Sequence, residues 1–147
     1  MSPFTPTVLY DGTCPFCRAQ VARLRRLTRD RVAFADAYAA LKPGGVLGVE
    51  QHRLGPEEDQ DPVAANGYVQ EAFVRQLAAE AGFVFVAASE VNANDKDTKD
   101  HPFGVDTLPP MRLTAPQGQP ADPTFDRSKF EAIGESDRMT LKFRKPE

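Results

Sequence analysis

The spacing of apolar and polar residues changes several times along the chain, and each spacing predicts an element. A short apolar run over residues 7–10 predicts a strand, ended by the turn signal Asp11-Gly12. At 100° per residue, Phe16, Cys17, Val21, Leu24 and Leu27 then share one side of a helix over residues 15–28. Arg18, Arg25, Arg26 and Arg29 share the other side, and Pro15 suits the first turn. Residues 35–41 predict a second helix, stopped by Lys42-Pro43-Gly44-Gly45. Residues 46–52 predict a strand whose start is apolar enough for burial on both faces. Asn66 is placed to cap a helix over residues 68–81, with Val69, Phe73 and Leu77 as its stripe and Gly82 as its stop. Residues 83–91 predict another strand. Residues 92–125 read as irregular, and residues 129–133 as a short helix. Near the C-terminus, Met139, Leu141 and Phe143 alternate with Thr140, Lys142 and Arg144, which predicts a strand over 138–144 with one buried face.

This order predicts an α/β chain with at least one right-handed crossover and a mixed sheet with helices packed on it. A length of 147 residues fits one compact unit with a modest core. The net charge of −3 gives no global attraction to nucleic acid, so no nucleic-acid partner is expected. The charge is uneven, however. Residues 1–31 carry six arginines against Asp11 and Asp30, a balance of +4, which leaves −7 for the remainder. The run Glu57-Glu58-Asp59-Gln60-Asp61 reads as a solvated acidic loop. No apolar run nears the roughly 18 residues of a membrane span, so no membrane partner is expected. No basic start followed by an apolar run suggests a secretory leader, and the expected location is cytoplasmic.

The candidate chemistry begins at Cys14 and Cys17, three residues apart in "CPFC" where a strand gives way to a helix. Unpaired amides and the helix dipole lower the pKa of a cysteine at a helix N-terminus, and this spacing lets a second thiol resolve a mixed disulfide. Two further readings stand beside a redox dithiol. A zinc site takes about four ligands, there is no other cysteine, and His52 and His101 are the only histidines and lack the usual histidine spacing, so no metal is expected. Cys17 also falls on the apolar helix side, where inert core thiols are common. In the polar stretch "NDKDTKDHP", Asp95, Asp97 and Asp100 around Lys96 and Lys99 read as a loop ordered by local side-chain hydrogen bonds.

The segment "YDGTCPFC" resembles the start of the DCC family of small thiol–disulfide oxidoreductases, named for an Asp-x-x-Cys-x-x-Cys motif. The resemblance covers about residues 7–34, a strand–CxxC–helix segment. It implies catalytic roles for Asp11, Cys14 as attacking thiol and Cys17 as resolving thiol, with a protein disulfide or a small molecule as partner.

From about Phe34 onward, "AYAALKPGGVLGVEQHR", "NGYVQEAFVRQLAAEAGFVFVAASEVNAN", "NDKDTKDHPFGVDTLPP" and "GESDRMTLKFRKP" resemble the C-terminal half of class I S-adenosylmethionine-dependent methyltransferases, in particular one group of predicted bacterial enzymes. This second resemblance, over residues 34–147, implies a partial Rossmann-like, class I methyltransferase-type mixed sheet. In that fold the final strand runs antiparallel between its neighbours, and residues 8–10 are expected beside the strand 46–52. S-adenosylmethionine is the cofactor implied. That family holds its donor over a glycine-rich turn, and no such turn precedes Phe34, so the donor site is expected to be incomplete. Glu50, His52 and Arg53 close the strand 46–52 at the end where open α/β sheets place ligands, and are the candidate substrate-facing residues. The expected function is methyltransferase-like. A thiol–disulfide oxidoreductase and a non-catalytic module that self-associates through an exposed sheet edge are the alternatives.

Overall fold

A computed structural model of the protein describes residues 34–61 and 64–147. The elements in chain order are α1 (Phe34–Ala40), β1 (Val46–His52), α2 (Glu71–Glu80), β2 (Val84–Ser89), β3 (Pro102–Val105), α3 (Ser128–Ile133) and β4 (Arg138–Arg144). The expected strand over 7–10, the helix over 15–28 and the pairing of residues 8–10 lie outside the described residues.

β1, β4 and β2 form a three-stranded sheet in that order. The last strand in the chain lies in the middle, antiparallel to both neighbours. Val49 faces Leu141 and Leu47 faces Phe143 across one join, and Phe85 faces Phe143 across the other. The alternation of β4 puts Met139, Leu141 and Phe143 into the core, each about 1% exposed. α1 and α2 cover that face through Phe34, Val74 and Ala78. The Phe34 ring meets Phe143 edge-on at 6.3 Å.

Among the described residues every strand pair of the sheet is antiparallel, and the parallel element among them is a single bridge between Arg53 and Val69. Two expectations are corrected here. The start of β1 is not buried on both faces, because Val46 is 50% exposed and its neighbour across β4, Val84, is 56% exposed. The helices lie on the opposite face. The second helix also starts later than residue 68. The Asn66 carboxamide accepts the Tyr68 amide at 3.0 Å, a turn closed two residues on, so it caps no helix. Val69 stays extended because its amide donates to His52 O and its carbonyl accepts from Leu54 N, both at 2.9 Å.

The expected stops are in place. Gly82 has φ 97, its amide donates to Ala79 O, and Phe83 N donates to Ala78 O at 3.0 Å, the paired bonds of a Schellman cap. A Cβ at Gly82 would lie 3.1 Å from the Tyr38 ring, so the turn also lets α1 approach α2. At the end of α1, Lys145 Nζ donates to the carbonyls of Tyr38 (2.7 Å) and Leu41 (2.8 Å), tying the chain's last residues to the first described helix.

Candidate functional site

One buried carboxylate gathers the part of the irregular stretch around residues 97–101. Asp97 has no exposed side-chain surface and accepts four donors. The Tyr68 hydroxyl donates at 3.0 Å, His101 Nε2 at 2.7 Å, and the amides of Lys99 and Asp137 at 3.0 and 2.8 Å. A buried carboxylate is tolerated only when its lone pairs are filled, and here they are filled from three separate parts of the chain. Burial, followed by the Asp97 charge, pushes the Tyr68 hydroxyl well above the usual phenol range, so it serves as a fixed donor. Two of the four bonds fix the backbone of Lys99 and Asp137. Lys99 sits at φ 64, in the left-handed region that most side chains avoid, and the Asp97 bond to its amide helps hold it there.

Asp137 is a second carboxylate that gathers several donors. Its Oδ1 accepts Arg53 Nη2 at 2.9 Å and Asn94 N at 3.1 Å, while Oδ2 accepts Arg53 Nε at 3.1 Å and Lys99 Nζ at 3.2 Å. Burial opposes the charge on Asp137, but the bonds from Arg53, Asn94 and Lys99 together outweigh it and hold its carboxyl below the usual range. Arg53 also reaches Glu90 at 2.7 Å, and these two partners raise its already high pKa, so it stays charged.

These residues line one side of a cavity of about 390 Å³ beside the end of β1. Arg53, Lys99 and Asp137 form its polar wall. Leu54, Gly55 and Pro56 also line it, as do Gln70, Glu71 and Ala72 at the start of α2. Gln70 braces the loop, its side-chain amide donating to the carbonyls of Gly55, Pro56 and Glu58. The acidic run Glu57–Asp59 outside this brace is exposed, as a solvated loop would be.

Of the three expected substrate-facing residues, Arg53 lines the cavity. Glu50 and His52 do not, because strand alternation turns them to the other face. Glu50 pairs with Arg138 at 2.7 Å. His52 Nδ1 lies 2.6 Å from the Ser136 hydroxyl, and burial, aided by the Arg138 charge, lowers its pKa. Asp11, Cys14 and Cys17 lie outside the described residues. Among the described residues, no three His, Cys, Asp or Glu side chains are arranged to hold a metal ion, and no helix is long and apolar enough to cross a membrane.

Asp137, Gln70 and Tyr68 are absent from the sequence-based site. The polar loop signal pointed to Asp97 and Lys99 as structured residues but not to what they hold. Chemically, the arrangement offers fixed donors with a nearby apolar wall, suited to gripping a small ligand. The chain matches no protein-family model, no curated protein and no solved structure.

Proposed function

We propose that this chain is a methyltransferase-like protein whose described residues correspond to the C-terminal half of a class I S-adenosylmethionine-dependent methyltransferase. The observation that carries the reading is the strand order β1-β4-β2, in which the final strand enters between two earlier ones and runs against both. The same arrangement is implied by the sequence resemblance over residues 34–147. The cavity beside the end of β1 supports it further, since ligands in open α/β sheets sit at such strand ends.

The donor is a different matter. Among the described residues, the Gly44-Gly45 pair serves the stop of α1, with Gly45 N bonded to Lys42 O and Gly44 N to Lys145 O, so neither amide is free to cradle a nucleoside. No residue is therefore assigned to S-adenosylmethionine, and methyl transfer by this chain alone is not part of the proposal. Titration calorimetry of the full chain with S-adenosylmethionine should give no binding tighter than about 1 mM, or roughly 4 kcal/mol. A low-micromolar dissociation constant would show a complete donor site and overturn this part of the reading.

A second reading, an assembly module, has one observation in its favour. β2 is an outer strand of the described sheet, and Val84, Val86 and Val91 along and beyond it are 56%, 47% and 75% exposed. The register shift between Phe85 and Ala87 opposes it, because a bulge spoils an edge for pairing. Light scattering that gives a monomer at high protein concentration would dismiss self-association.

A further inference from the structure

The polar inventory of the Arg53–Lys99 cavity is lopsided, and the imbalance specifies a ligand. All its acceptor capacity on the charged wall is consumed. Both Asp137 oxygens take two donors each, from Arg53, Lys99 and the Asn94 amide. Glu71, the other carboxylate that lines the cavity, is held by Arg75 one turn on through its Oε1. Donors, by contrast, are left over. Lys99 Nζ carries three hydrogens and has two protein partners, Asp137 Oδ2 and Asp97 O, both at 3.2 Å. Arg53 spends Nε and Nη2 on Asp137 and Glu90, and its Nη1 has no protein acceptor among the described residues. The amides of Glu71 and Ala72, in the first turn of the ten-residue α2, likewise have no protein acceptor there. The side chains of Lys99 and Arg53 are 16% and 21% exposed. Leu54, Pro56 and Ala72 also line the cavity.

We infer that the cavity binds a small organic acid, its carboxylate against Lys99 Nζ and Arg53 Nη1 and its apolar body against Leu54, Pro56 and Ala72. A volume near 390 Å³ lies at the small end of ligand sites and suits an acid of one ring or a short chain. The bonds of Lys99 Nζ to Asp137 Oδ2 and Asp97 O fix the ammonium before the ligand arrives. The inference goes beyond the methyltransferase-like reading. It needs no methyl donor and stands or falls without one.

The test is an NMR titration of the full chain with benzoate, its neutral counterpart benzamide, and inorganic phosphate, following the backbone amides of Glu71, Ala72 and Lys99. Benzoate should move these signals and bind at least about tenfold more tightly than benzamide, the worth of one charge-assisted bond. It should also outbind phosphate, which has the charge but no apolar body. Lys99→Gln should weaken benzoate about tenfold while the remaining amide signals keep their dispersion. No response to benzoate, equal binding of benzamide or phosphate, or responses confined to other residues would each overturn the inference. So would an unchanged benzoate affinity in folded Lys99→Gln. If the variant does not fold, the benzoate–benzamide comparison on the unaltered protein decides. A failure here leaves the strand order untouched, and a failure of the methyltransferase-like reading leaves the acid site standing.

Discussion

Replacing Asp137 by Asn changes one oxygen to an NH2 group and removes one charge, with almost no change in shape. In the native protein each carboxylate oxygen accepts two donors: Arg53 Nη2 and Asn94 N on Oδ1, Arg53 Nε and Lys99 Nζ on Oδ2. An Asn carbonyl can face one of these pairs. Its NH2 group then faces the other, so donors meet donors and two bonds are lost. At about 1.5–3 kcal/mol for each bond involving a charged partner, the loss is about 3–6 kcal/mol. The side chains of Asp137, Lys99 and Arg53 are 9%, 16% and 21% exposed, so solvent relieves part of this, and about 3 kcal/mol is expected. For a chain of this size that is a fall of roughly 10 °C in Tm. Urea unfolding followed by circular dichroism measures it directly. The pH dependence is diagnostic. The native carboxyl titrates below its unfolded value near 4, so its stabilisation is complete above that value and is lost as pH falls through the depressed folded one. The gap between native and variant should therefore be full at pH 7 and should close in acid. A loss below about 1 kcal/mol, typical of a surface pair, or a gap that does not change with pH, would refute the claim that Asp137 anchors the cavity.

Tyr68→Phe should cost about 1.5–3 kcal/mol in urea unfolding, since it removes one donor from the buried Asp97 carboxylate. Because the Tyr68 pKa is raised in the folded state, native stability should also fall as pH rises above about 10, and the variant should lack this component. His52 has a lowered pKa through burial, so the unfolded chain takes up protons first and stability should drop as pH falls below about 6.5; His52→Gln should flatten that part of the curve. For the dithiol of the N-terminal resemblance, an alkylating reagent near pH 7 should label Cys14 well before Cys17. Equal, slow labelling, with both thiol pKa values at or above about 8.5, would mean an inert pair.

The parts of the fold legible in the sequence are those set by neighbours within a turn or a strand. The alternation of Met139, Leu141 and Phe143 placed β4 and its buried face, because period two has one structural solution when one face is apolar. Gly82 was legible because a left-handed helix stop favours glycine. The start of α2 was not, since Asn66 has two local uses and the choice was made by a distant partner, the bonds of Val69 to His52 and Leu54. β3 was hidden in a stretch read as loop. The site was half legible. Arg53 was singled out from its place at a strand end, but its partner Asp137 lies 84 residues away, beyond any local pattern. Burial of Asp97 depends on Tyr68 and His101 meeting it in space, which spacing alone does not reveal.

The methyltransferase-like reading makes its sharpest demand at the free side of β1. Arg53 N donates to Asp137 O and Lys145 N to Gly45 O, so the odd-numbered residues between them bond to β4. The N–H groups of Gly48 and Glu50 therefore point away from β4, and no strand among the described residues receives them. A methyltransferase-type sheet continues on that side, with residues 8–10 as the expected neighbour. Amide hydrogen exchange on the full chain, read by NMR, tests this residue by residue. The account predicts that Gly48 and Glu50 exchange within about tenfold of Val49 and Gln51, which face β4. Exchange of Gly48 and Glu50 at the rate of an unprotected peptide, with Val49 and Gln51 still protected, would mean that the sheet ends at β1 and would contradict it.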